Sequence, residues 1–279
     1  MAGIAAIAGI LVIITGAYGS SVGALKRSQV GTIEAFGISL VIAGVLGLLY
    51  LLPPAQRALA RLIPVRPGSP VGYLTVVIGL LLIAQEVGAQ VQSSQALTWF
   101  DLLAQDIPLL VLSFIGVGLF TRRSFRETVQ RLALEPPAAR WWWAVAVVGI
   151  GVFMGLAFGI EYIAGIVTPA TQKEVTSVTT VLFSNFNNPT AIILLGILAA
   201  VVEETLFRGA LLPRFGIVVT AILFAALHTQ YAITFASLEV FVLGLGLGVL
   251  RVRSNSTLPC IVTHAGYDIA VGFLSLIAK

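Results

Sequence analysis

Val202-Glu203-Glu204-Thr205-Leu206-Phe207-Arg208-Gly209 closes an apolar run that begins near Thr190. Read as one helix, this run carries two carboxylates and a guanidinium to membrane depth. An Asp, Lys or Arg at a bilayer centre costs roughly 2.5 to 3.5 kcal/mol, so such groups need partners or water. On a helix Glu204 and Arg208 are four apart and share a face, whereas Glu203 is turned by about 100°. One carboxylate can then be neutralised by Arg208 while the other faces a different neighbour. A purely structural ion pair is the competing reading.

The surrounding chain supports membrane depth. It has 279 residues, 58% hydrophobic and 10% charged, with mean hydropathy +1.02; a soluble domain carries about 25% charged residues. Lipid admits helix bundles or closed barrels, and continuous apolar runs without period-two alternation select helices. The expected fold is all-α, a polytopic bundle of eight or nine transmembrane helices. The candidate spans are 3–20, 33–52, 71–92, 107–121, 142–168, 189–210, 215–232, 236–250 and 258–277. Residues 1–188 are expected to supply the N-terminal transmembrane helices and their loops, and 189–279 a catalytic helical core.

With strict alternation, twelve of the sixteen Lys and Arg residues fall on the side of the N-terminus. They are Arg57, Arg61, Arg66, Arg122, Arg123, Arg126, Arg131, Arg140, Arg208, Arg214, Arg251 and Arg253; Lys26, Arg27, Lys173 and Lys279 fall opposite. The bias places the N-terminus in the cytoplasm. The net charge of +4 is therefore membrane topology and not a nucleic-acid footprint. No basic region with a small-residue cleavage site opens the chain, so the first run is expected to be a retained span, in the plasma membrane. The single cysteine, Cys260, excludes an intramolecular disulfide and packs as a small apolar group.

Between 122 and 140, Ser124 and Glu127 suggest a capping box, with Phe125, Val129 and Leu132 near one face. A short cytoplasmic surface helix follows, stopped by Pro136 and Pro137 and anchored by Trp141, Trp142 and Trp143. The polar stretch 169–188 reads as an outside connection. The spacings Gly155/Gly159 and Gly244/Gly248 suit close helix packing.

Two further polar places follow the glutamates. Phe224 and His228 are one turn apart, as are His264 and Asp268, and these are the chain's two histidines. A carboxylate one turn from an imidazole can fix its tautomer and raise its basicity. Rises of 1.5 Å per residue put Glu203 about 10 Å, His264 about 9 Å and Asp268 about 15 Å from one membrane edge. His228 comes out deeper, at about 18 Å. A carboxylate and two imidazoles in a semi-dry cavity can deprotonate water directly. Alternatively Glu203, His228 and His264 can hold Zn2+ or another divalent metal with an open position. Both arrangements are hydrolytic. There is no His-Glu-x-x-His motif, no Gly-x-Ser-x-Gly elbow, and no second intramembrane Asp, since Asp101 and Asp106 fall near a connection.

Glu203-Glu204-x-x-x-Arg208, Phe224-x-x-x-His228 and His264-x-x-x-Asp268, in this order, resemble the CAAX-protease and bacteriocin-processing (Abi) family of intramembrane endopeptidases. The resemblance covers about 189–277. It implies a membrane protease whose cavity opens to the cytoplasm and whose substrate is a peptide or protein, prenylated or membrane-associated. It implies that Glu203 and His228 activate water, that His264 and Asp268 support the oxyanion or the geometry, and that Glu204 and Arg208 are the supporting pair. Asp268 stands where eukaryotic relatives often carry Asn. Two readings compete. Glu86, Glu161 and Glu239 suggest an ion- or proton-coupled transporter, and the same fold can serve as a non-catalytic immunity or scaffold protein.

Overall fold

Backbone groups in hydrocarbon must be satisfied within their own element, and this chain does so with helices. The computed structural model describes residues 2–21, 27–61, 66–88 and 95–277. Lys26, Lys279 and the end of the third expected span at 89–92 lie outside the described residues, as do the side chains of Arg27 and Glu86. The helices are α1 (Ala2–Ser21), α2 (Arg27–Leu49), α3 (Pro53–Leu59), α4 (Pro70–Gly88), α5 (Trp99–Gly116), α6 (Phe125–Arg131), α7 (Trp141–Val167), α8 (Pro169–Leu182), α9 (Pro189–Glu204), α10 (Leu212–Ala225), α11 (Phe235–Ser254) and α12 (Leu258–Ile277). A π-helical stretch, Thr205–Leu211, joins α9 to α10. No strand occurs among the described residues.

Among the described residues five helical runs are long and apolar enough to cross a membrane, or six if the bent pair Ile33–Leu49 and Pro53–Leu59 counts as one span. The protein is a multi-pass membrane protein, and this count among the described residues does not confirm the expected eight or nine spans. One reason is that the sixth and seventh expected spans form a single run, Pro189–Ala225. The run bends at Gly216, whose φ of 74° suits a residue without Cβ. The fourth expected span, 107–121, is formed by α5, which starts earlier. Thr98 caps it with Asp101 in a reciprocal capping box, and Pro108 is carried inside. The polar stretch 169–188 is mostly helix α8, which buries Val175, Val178 and Leu182, a 3–4 stripe that its Thr- and Ser-rich composition hides.

The chain divides into two compact units. One comprises residues 1–92 and 222–238. Here α1 packs on α2 and α2 on α4. The α1–α2 approach is close because Gly9 faces the carbonyl of Gly37, 2.5 Å from where a Cβ would stand. The other unit comprises 93–221 and 239–279. There α12 packs against α9 and α7, while α5 packs against α9 and the π stretch. Gly248 is pressed against Ile217, 2.7 Å from a built Cβ, whereas Gly155 and Gly159 meet nothing within 4 Å. The first glycine spacing on α7 therefore does no close packing among the described residues.

Helix α6 forms where the capping box is expected. Ser124 Oγ accepts from the Glu127 N–H, and Glu127 Oε2 accepts from Ser124 N–H at 2.7 Å. These bonds hold the Glu127 carboxyl below its ordinary value, the backbone bond foremost. The expected apolar face splits, however. Phe125 is exposed while Leu132 is completely buried. The connector is thus more than a surface anchor. Leu132 O accepts from Thr257 Oγ1 at 2.7 Å, Ala133 O accepts from Thr257 N at 2.8 Å, and Glu135 O accepts from Ser256 Oγ at 2.6 Å. These bonds clamp the connector to the α11–α12 turn.

Candidate active site

The quoted stretch lies where α-helical bonding gives way to π. The Leu212 N–H reaches back five residues to Phe207 O, and Thr205 Oγ1 donates to Val201 O at 2.6 Å. Such back-bonding bends helices, and π stretches are rare outside functional sites. The sequence pattern reads this segment as ordinary α-helix, because π bonding has no period of its own to find.

Glu204 and Arg208 are both fully buried. Arg208 Nη1 donates to Glu204 Oε1 at 2.7 Å, and Nη2 donates to Gly244 O on α11 at 3.1 Å. The expected ion pair is therefore present. Its acceptor oxygen has a second partner, since His264 Nδ1 stands 2.8 Å from the same Glu204 Oε1. With Nδ1 donating, the opposite edge of the ring carries Nε2 toward two more carboxylates. Asp268 Oδ2 is 3.4 Å away and Glu203 Oε2 is 3.9 Å away. Glu204 is sealed, while the side chains of Glu203 and Asp268 keep 21% and 31% of their surface exposed. Glu203 Oε2 itself is buried and accepts no hydrogen bond among the described residues. The α9–α12 packing makes this meeting possible. Gly196 on α9 lets the Ala265 carbonyl and the Asp268 Cβ approach within 3.3 Å of a built Cβ.

His228 differs from expectation in its setting. Helix α10 ends at Ala225, so His228 stands beyond the helix rather than on its face. It nevertheless remains tied to Phe224. Its Nδ1 lies 2.9 Å from Phe224 O, and the two rings meet edge to face at 5.0 Å. A carbonyl oxygen only accepts, so Nδ1 carries a proton. The Tyr231 ring stacks on the same imidazole at 6.3 Å.

Among the described residues no three His, Cys, Asp or Glu side chains are grouped so as to hold a metal ion. Zinc draws its ligands to about 2 Å from one point, whereas His264 Nδ1 is committed to Glu204 and its Nε2 lies 3.4 Å and 3.9 Å from the nearest carboxylate oxygens.

Asp106 is a correction to the sequence reading. It lies inside α5, only 4% exposed, and close enough to Glu203 for the two charges to act on each other. The signal was Thr98-x-x-Asp101, a cap that starts the helix at Trp99 and so puts Asp106 two turns inside. Two other intramembrane carboxylates, Glu161 and Glu239, lie near one another in the same unit. Tyr267 OH donates to Glu239 Oε1 at 2.7 Å, and the charge of Glu161 reaches both.

Comparison with known proteins agrees with the motifs. Residues 185–270 match the family model described as type II CAAX prenyl endopeptidase Rce1-like, the family type that the three motifs resemble. The chain is also 33% identical over 132 residues to an uncharacterized 24.3 kDa protein of Escherichia coli, covering 43% of this chain and 56% of that protein. The chain thus spans little more than half the length of this curated relative. No solved structure matches it.

Proposed function

We propose that the protein is an intramembrane endopeptidase of the CAAX-protease type, in which Glu203 takes a proton from the attacking water. The observation that carries the proposal is the division of labour between adjacent glutamates. Glu204 is sealed and its Oε1 is shared by Arg208 and His264, whereas Glu203, partly exposed, keeps Oε2 beside His264; neither Glu203 Oε2 nor Glu204 Oε2 has a hydrogen-bond donor among the described residues. A half-buried carboxylate of this kind is suited to general-base work. The water oxygen attacks the scissile carbonyl carbon, and the carbonyl electron pair moves onto oxygen. His264 stabilises that oxyanion, with its ring orientation set by Glu204 at Nδ1. The proton held by Glu203 then passes to the leaving amine as the C–N bond breaks.

His228 enters through its motif. Its Nδ1–H is spent on Phe224 O, so Nε2 of the neutral ring can accept from water. Asp268 orients His264 rather than the oxyanion, since a carboxylate repels developing negative charge. No step runs through a metal. In this reading residues 189–279 form the catalytic core, with the cavity and the N-terminus on the cytoplasmic side of the plasma membrane. The substrate is a peptide or protein presented at the membrane, prenylated or otherwise membrane-associated. The test compares wild type with Glu203→Ala against prenylated and unmodified peptides. Wild type should cleave and the variant should not; cleavage by a folded Glu203→Ala protein at the wild-type rate would overturn the reading.

A further inference from the structure

Four arginines converge where the α6 connector meets the ends of other helices. Arg131, the last residue of α6, donates from Nη1 to Gly209 O in the π stretch at 3.2 Å. Arg123, Arg214 and Arg251 are all near enough for their charges to act on it. Burial first, and then Arg123 and Arg214, holds the Arg131 guanidinium below its usual value. Such a cluster ordinarily recruits carboxylates. Yet none of the ion pairs among the described residues involves Arg123, Arg131, Arg214 or Arg251. Glu127, near Arg123, is folded back into its own helix cap.

The decisive member is Arg251, near the end of α11. Its side chain is more than nine-tenths buried, and its Nε finds no hydrogen-bond partner among the described residues. A buried cation with an unsatisfied donor, facing other cations, is costly without an anion to gather them. Guanidinium forks match phosphate oxygens well. The aromatic residues beside the cluster indicate the source of the phosphate. Trp141, at the start of α7 directly after the same connector, is 57% exposed and stacks on Trp142, and Phe120, before Arg123, is 87% exposed. Exposed tryptophan marks headgroup depth.

We propose that Arg123, Arg131, Arg214 and Arg251 form a binding site for the headgroup phosphate of an anionic phospholipid, which bridges the α6 connector to the ends of the helices around it. The lipid acts as a structural ligand, and its binding is independent of whether the protein cleaves peptides.

The full-length protein is purified in neutral detergent and titrated with phosphatidylglycerol, phosphatidylcholine or inorganic phosphate, with bound lipid counted by native mass spectrometry. Wild type should prefer phosphatidylglycerol. Arg131→Gln and Arg251→Gln should each weaken that preference about fivefold, as expected from the attraction of one basic side chain to anionic lipid. Because Arg251 is buried, Arg214→Gln, at an exposed position, provides a variant that leaves the packing intact and should weaken binding in the same direction. Arg251→Lys should retain part of the affinity. Equal retention of the two lipids, or unchanged preference in the Arg131→Gln and Arg214→Gln variants, would overturn the site. Displacement of the lipid by inorganic phosphate at matched concentration would overturn the headgroup assignment.

Discussion

His264 Nδ1 and Arg208 Nη1 share a single oxygen of Glu204, at 2.8 Å and 2.7 Å. One carboxylate thereby fixes a guanidinium on its own helix and an imidazole on α12. The arrangement aligns the ring edge that faces Glu203 and Asp268 without consuming either of them.

Removing the shared oxygen should cost more than activity. Glu204→Ala leaves the Arg208 charge sealed and without its carboxylate, a change worth about 3 to 5 kcal/mol in buried pairs. Chemical denaturation in detergent should show this loss. Replacing both residues, as Glu204→Gln with Arg208→Met, should cost less than the sum of the single changes. Strict additivity would mean the pair is not coupled.

Glu203→Gln keeps the volume and removes the proposed base. Peptide cleavage should fall by about 10² to 10⁴-fold, the usual contribution of general-base catalysis, with thermal stability close to wild type. A parallel collapse of the melting temperature would assign Glu203 to structure instead.

Asp106→Asn removes a charge that is buried on α5 and repelled by Glu203. The amide is nearly isosteric and needs no counter-ion, so the variant should melt at a higher temperature than wild type. A lower melting temperature would show that Asp106 is held by a partner that needs its charge.

Chelation addresses the donor set. Dialysis against a strong chelator should leave peptide cleavage unchanged, because the proposed mechanism routes no step through a metal. Loss of activity that returns on adding Zn2+, with matching metal content, would replace the proposed mechanism.

Gly209 gives a stability test remote from the chemistry. A Cβ there would stand 3.0 Å from Leu132 O, a backbone atom held by Thr257. Gly209→Ala should therefore destabilise the protein by about 1 to 3 kcal/mol, as overpacking does. An unchanged denaturation midpoint would show that the connector can yield.

Much of this was legible in the residues, for identifiable reasons. Helical spacing predicts the Glu204–Arg208 pair because i and i+4 share a face, and a chain with two histidines leaves few partners for a buried carboxylate. The Ser124–Glu127 box was readable because capping is local chemistry. What was missed depended on context. Asp106 looked like loop because charge suggests a connection, although Thr98 and Asp101 start a helix just before it. The bond from His264 Nδ1 to Glu204, made beside the approach of Nε2 to its own neighbour Asp268, depends on how α12 lies against α9, which no spacing encodes. Helix α8 hides a three-residue apolar stripe among threonines.

The π stretch has a last consequence. A ring closed between residues five apart holds one residue more than an α turn, so Thr205–Leu211 is the place where this helix can lose a residue and still close its hydrogen bonds. Deleting Ala210 would let the segment relax to ordinary α geometry and leave Glu203 and Glu204 in their present orientation. Because the wide turn absorbs the extra residue, the downstream segment should keep its phase, with Ile217 still against Gly248. A one-residue deletion should therefore be better tolerated here than in the regular turns on either side, where it would rotate everything that follows by about 100°.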